Sequence, residues 1–236
     1  MAEIILIPGL WLDGSSWDEV VPALEKAGHR AHPLTLPGMR ADDTGRAEVT
    51  LQDQVDAVVA AIDACDPDQK VVVVGHSAGS GIAYGAIDAR PDRVARGVYV
   101  GGFPSPDGKA LASFFTAVDG EVPLPDWSTF GEEDLRDLDE AALARFRERA
   151  IPAPGHVTSD PLRLTDERRY GVPATAICPE YTAAQLQEWI AAGEASVQEF
   201  TRIKHVEYVD VPTGHWPQFT RPAELAQAIL AAAERS

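Results

Sequence analysis

The chain has 236 residues, 45% of them hydrophobic and 24% charged, which fits one sizeable globular domain, or one domain with a small insertion, and excludes a disordered or fibrous chain. With 37 acidic against 20 basic side chains the net charge is −17, a surface that repels phosphate backbones and anionic headgroups, so neither nucleic acid nor a membrane is an expected partner. Two scattered cysteines, Cys65 and Cys178, make neither a disulfide framework nor a metal site, and no run approaches the roughly 20 apolar residues of a membrane span; with no basic leader at the N-terminus, a cytoplasmic location is the expectation.

Residues 4–7 are a continuous apolar run ending at Pro8-Gly9, the signature of a strand buried on both faces. Ser16 and Glu19 have capping-box spacing, which predicts a helix to about residue 27, and residues 29–34 read as a second strand. Thr50 and Asp53 open another helix, in which Leu51, Val55, Val58, Val59 and Ile62 share one face. Val71 to Val74 are four β-branched residues ending at Gly75, a clear strand; a small-residue helix over about 78–89 and a strand over 94–100 follow. From about 104 to 170 prolines cluster around one charged helix near 132–149, too long for a plain connection, so a cap or lid insertion is expected there. The alternation then resumes with a strand at 172–178, a helix capped by Thr182 and Gln185, a strand at 206–211 and a final helix opened by Arg221-Pro222. Strands alternating with amphipathic helices predict an α/β fold, a mostly parallel sheet with helices on both faces and ligands beyond the carboxyl ends of the strands.

Between the tetra-valine strand and the next helix stands Gly75-His76-Ser77-Ala78-Gly79, G-x-S-x-G in the strand-turn-helix context that motif requires. The serine must stand on a sharp, strained turn, and glycines on either side permit that turn and the close helix–strand approach. The rival reading is a dinucleotide loop, Gly75-x-x-x-Gly79-x-Gly81. It follows the third strand rather than the first, and no lysine here has a tyrosine four residues before it, which excludes short-chain dehydrogenase chemistry.

A serine nucleophile needs a base. Of six histidines, His215 lies after the last strand in Thr213-Gly214-His215-Trp216-Pro217, on a loop that can carry its imidazole over Ser77. His76 neighbours the serine, but its side chain is expected to point elsewhere.

With these motifs the chain resembles the small α/β-hydrolases of the esterase, hydroxynitrile lyase and methyl-ester esterase group over nearly its full length. The resemblance implies an α/β-hydrolase fold and an oxyanion amide from the early loop, here Pro8-Gly9-Leu10 with proline where the family has histidine, so that the amides of Leu10 and Ala78 would hold the oxyanion. It also implies an acid after the strand that precedes the long helix. Here the text is Cys178-Pro179-Glu180-Tyr181, with tyrosine at the usual aspartate position. Glu180 is preferred, Asp107 is the alternative, and a Ser77–His215 dyad without an acid stays open.

The expected activity is hydrolysis of small, apolar carboxylic esters through an acyl-enzyme at Ser77, without metal or organic cofactor. Leu10, Trp11, Phe103, Phe114, Phe115, Trp127 and Trp216 are candidate pocket residues, ordinary core packing being the alternative for each aromatic. A cofactor-free lyase or cyclase on the same scaffold, and a non-catalytic binding protein, are the competing readings. A homodimer is compatible with the sequence.

Overall fold

The computed structural model describes residues 1–235. Strand β1 (Glu3–Ile7) is followed by α1 (Val21–Lys26), β2 (Arg30–Pro33), α2 (Leu51–Ala64), β3 (Val71–His76), α3 (Gly79–Ala89) and β4 (Val94–Val100). Next come a short β5 (Glu121–Val122), α4 (Glu140–Arg149), β6 (Ala153–Pro154) and α5 (Gly155–Ser159). The chain closes with β7 (Ala174–Cys178), α6 (Ala183–Ala192), β8 (Val206–Asp210), α7 (Pro217–Thr220) and α8 (Pro222–Glu234). Among the described residues six strands pair in one parallel sheet, in the order β2-β1-β3-β4-β7-β8.

Strand alternation explains why both faces are apolar. Ile5, Ile7, Val71 and Val73 join one cluster with Val55, Val58 and Ile62 of α2 and Ile82 of α3. Ile4, Leu6, Val72 and Val74 join the other, with Leu24 of α1 and Leu225 and Ile229 of α8. Each such side chain contributes about 1.5–3 kcal/mol by leaving water, so the central strands β1 and β3 are held firmly from both faces. No helix among the described residues is long and apolar enough to cross a membrane.

The capping signals at Thr50/Asp53 and Thr182/Gln185 form complete capping boxes. The Ser16/Glu19 signal does not. Asp13 instead caps a 3-10 turn at Gly14–Trp17, and the Ser16 hydroxyl donates to the Asp13 carbonyl. The α-helix begins only at Val21, where Pro22 sits in the first turn and favours a start at that point. The predicted helix at 132–149 shortens to Glu140–Arg149, because Asp139 supplies the N-cap by accepting from the Ala142 amide.

β4 and β7 are sheet neighbours, yet 101–173 separate them in sequence. The end of that segment is fixed by a buried charge cluster. The Asp88 carboxylate of α3 accepts from the amides of Thr165 and Asp166 and from the Arg169 guanidinium at 3.0 Å. Arg169 is itself 3.7 Å from Glu199, whose carboxylate accepts from the Tyr84 hydroxyl. Both Asp88 and Arg169 are buried. Removing one partner of such a pair strands the other charge away from water. Asp88→Ala should therefore lower the unfolding free energy by about 3 kcal/mol, measured by urea denaturation; a loss below about 1 kcal/mol would show that the cluster does not anchor this segment.

Candidate active site

The site lies at the carboxyl edge of the sheet, where β3 turns into α3. Ser77 has φ +53, a conformation that costs a non-glycine residue of order 1–3 kcal/mol unless its surroundings impose it. They do. The Ser77 amide donates to the Val100 carbonyl at 2.9 Å, and the Ser77 carbonyl accepts from the Ser80 amide at 2.9 Å. Glycines make the turn sterically feasible. A β-carbon on Gly75 would lie 2.4 Å from the Gly79 carbonyl oxygen, one on Gly79 2.5 Å from the Pro8 carbonyl oxygen, and one on Gly102 2.4 Å from the Ser77 carbonyl oxygen.

His215 reaches this serine from the loop between β8 and α7. Its Nε2 is 2.8 Å from Ser77 Oγ and its Nδ1 is 2.8 Å from Glu180 Oε1. Glu180 projects from the loop after β7 and packs over Gly101, whose φ of +55 places the backbone after β4 in the left-handed region that favours glycine. Asp107, the other candidate acid, is exposed and accepts from the Leu164 amide at 2.8 Å, so its carboxylate is engaged within the segment between β4 and β7. Burial disfavours a charge on His215, but the adjacent Glu180 carboxylate and the Asp134 carboxylate outweigh it, and its pKa stands above that of ordinary imidazole.

His76 does point away from Ser77. It is fully buried; its Nε2 donates to the His215 carbonyl at 2.7 Å, while its Nδ1 accepts from the Gln218 amide group at 3.2 Å. Desolvation, helped by the neighbouring His215, lowers its pKa to about 3, so it is a neutral strut under the loop that carries His215. Sequence reasoning named neither Gln218 nor Gly101 nor Asp134, because each acts across 30 or more positions of sequence and belongs to no motif.

The early loop passes against the serine. A β-carbon on Gly9 would lie 3.0 Å from Ser77 Cβ and 2.8 Å from His76 Nδ1; only glycine lets the chain come this close, and Leu10 follows it at the cavity wall. The amides of Leu10 and Ala78 donate to no described residue. Ser77 opens onto a cavity of about 680 Å³ lined by Leu10, Trp11, Phe103, Phe115, Phe130 and Trp216 among others. Trp11, at φ +66, donates from its indole nitrogen to the Val122 carbonyl at 3.1 Å and meets Phe115 and Phe130 edge-on. Trp127 lies behind this wall, packed on Phe146 and Trp216. Phe130 takes the cavity position that the sequence suggested for Trp127.

Among the described residues, two groups of side chains have metal-ligand chemistry. In Asp134–Glu180–His215 both ring nitrogens of His215 are already engaged, by Ser77 and by Glu180, which suits proton movement better than coordination. In Glu3–His32–Cys65 the Glu3 carboxylate is paired with His32 and Arg30 at the start of β1, away from the cavity. Cys65 and Cys178 are buried free thiols, and burial pushes Cys178 up to about 12.

A parallel sheet with a serine on the turn after its third strand and a histidine on the loop after its last defines the α/β-hydrolase class of fold. The profile of the alpha/beta hydrolase family matches residues 4–228, and the chain belongs to that family. It is 38% identical to esterase PIR7B of Oryza sativa subsp. japonica over 101 residues, 41% of this chain and 37% of that protein. The match thus spans well under half the length of that relative. With methylesterase 9 of Arabidopsis thaliana it is 24% identical over 100% of this chain and 99% of the relative. Among solved structures, an extracellular α/β-hydrolase from a Paenibacillus species superposes with a TM-score of 0.78 at 22% identity, covering 98% of this chain and 99% of that one; it has the same fold.

The tight turn gives a direct test. Gly75→Ala should cost about 1–3 kcal/mol and lower the thermal midpoint, because the added methyl meets backbone that cannot step aside. Gly171→Ala, where nothing lies within 4 Å, is the control. An unchanged midpoint for Gly75→Ala would show that α3 does not pack as closely on β3 as described.

Proposed function

We propose that the protein is a serine hydrolase that cleaves small carboxylic esters with a largely apolar acyl or alcohol part, through an acyl-enzyme on Ser77. The observation that carries this reading is the imidazole of His215 held 2.8 Å from both Ser77 Oγ and Glu180 Oε1. In that arrangement His215 takes the serine proton at Nε2 as Oγ attacks the ester carbonyl, and Glu180 holds the Nδ1 proton and offsets the imidazolium charge. The carbonyl oxygen becomes an oxyanion, for which the free amides of Leu10 and Ala78 are the proposed donors. Collapse expels the alcohol, which receives the proton from Nε2. Water then attacks the acyl-serine with His215 again as base, and the acid product leaves.

Supporting evidence comes from three further directions. The cavity in front of Ser77 has apolar walls, suited to an apolar substrate. Relatives bear esterase and methylesterase names. The inserted segment at about 104–170 supplies Phe115 and Phe130 to the cavity wall, so it serves as a cap that shields the acyl-enzyme from bulk water. The chemistry runs on side chains and backbone amides and calls for no cofactor.

Incubation with a small fluorophosphonate and with short-chain p-nitrophenyl esters tests the reading. Wild type should label once per chain and turn over; Ser77→Ala and His215→Ala should do neither, and Glu180→Gln should lose about 10²–10⁴-fold in kcat, whereas Asp107→Asn should keep its rate. Activity needs neutral His215. Because the pKa of His215 is raised, kcat/KM should begin to fall at a pH above that of free imidazole as the solution is acidified. A well-folded wild type that neither labels nor turns over would sink the esterase reading and turn attention to lyase, cyclase or binding functions.

A further inference from the structure

A second carboxylate approaches His215, and it comes from the inserted segment. Asp134 lines the cavity. One carboxylate oxygen of Asp134, one of Glu180 and a ring nitrogen of His215 all lie within 4.8 Å of one another. Asp134 is held there from two sides. Its Oδ2 accepts from the Gly131 amide at 2.9 Å, and its main-chain carbonyl accepts from the His215 amide at 2.8 Å.

The surrounding loop is clamped as well. A β-carbon on Gly214 would lie 2.5 Å from the carbonyl oxygens of both Asp134 and Arg136. Asp137 accepts from the Thr213 hydroxyl at 3.1 Å and from Arg221 at 3.1 Å. The turn bearing Asp134 is therefore seated directly on the loop bearing His215. Both ring nitrogens of His215 already have partners, so Asp134 acts on the imidazole as a nearby charge.

We propose that Asp134 is a positioning residue for the reaction: an anion supplied by the insertion that favours the His215 imidazolium formed when Ser77 gives up its proton. This rests on the acyl-enzyme reading above. An opposite charge at 4–6 Å stabilises a protonated imidazole in proportion to how little water screens the pair, and His215 is mostly buried. Among the described residues, the other titratable groups beside the ring are Glu180 from the loop after β7 and His76 from β3, whose ring centre is 5.1 Å away. His76 is neutral at working pH and adds no opposing charge. The raised pKa of His215 has Asp134 among its causes.

Asp134→Asn keeps the shape and an oxygen for the Gly131 amide while removing the charge. The acid limb of kcat/KM on a p-nitrophenyl ester should move down by about one pH unit, the low end of the effect of a carboxylate at this range. The imidazole signals of His215, followed by NMR against pH, should move by the same amount, and Asp134→Glu should restore much of the wild-type profile. A limb and an imidazole titration that stay where wild type has them would overturn the proposal, even if kcat falls, since a merely structural turn residue changes rate without changing the pKa. The NMR titration does not depend on turnover. If wild type fails to label with fluorophosphonate, the acyl-enzyme reading fails by itself, while the titration still decides whether Asp134 acts on the ring.

Discussion

The whole site depends on one steric constraint, the passage of three chain segments around Ser77 at near-contact distance. Gly9 of the early loop, Gly75 and Gly79 at the ends of the elbow, and Gly102 after β4 each leave space that a β-carbon would fill with a contact of 3.0 Å or less. With those four closed in, the backbone of Ser77 has no route back to an ordinary conformation, and its φ of +53 is imposed rather than chosen. The same closeness shapes the site. It puts Leu10 beside the serine, aims α3 by its N-terminus at the turn, and sets the Ser77 side chain above the sheet edge, where the cavity begins.

Two histidines 5.1 Å apart show how environment divides labour between identical groups. His76 and His215 are both deeply set, and burial alone would keep both neutral. His76 faces a carbonyl and an amide, which suit a neutral ring with one donor and one acceptor nitrogen. His215 faces the carboxylates of Glu180 and Asp134, which offset the burial cost of charge. One ring thus becomes scaffold and the other a group that can carry a proton.

Much of this was legible in the sequence wherever a local rule operated. The capping boxes at Thr50 and Thr182 are interactions within four residues, and the tetra-valine strand and the G-x-S-x-G turn announce themselves in short local patterns, although long-range contacts hold both in place. Local rules failed where two of them competed. Ser16 and Glu19 have the spacing of a capping box, but Asp13 captured the first amides and Pro22 fixed the later start of α1. The order Ser77 then His215 could be read from the chain, because each follows a strand end. The choice between Glu180 and Asp107 could not be, since it turns on the path of two loops: one places Glu180 on His215, and the other commits Asp107 to the Leu164 amide. The exchange of Trp127 for Phe130 at the cavity is of the same kind, a question of which ring faces inward within a segment of short elements and no periodicity.

The loop that bears His215 belongs to two layers at once. From below, His76 holds the His215 carbonyl, and Gln218 holds His76. From above, the carbonyl of Asp134 holds the His215 amide, and Asp137 holds Thr213. A loop residue whose amide and carbonyl are tied to different structural layers keeps its ring in place only while both layers are packed. The segment between β4 and β7 is thus part of what orders the histidine, in addition to walling the cavity. That segment, the least regular stretch of the chain, therefore touches both the loop of His215 and the wall of the pocket, whereas the elbow that carries Ser77 is held by the sheet.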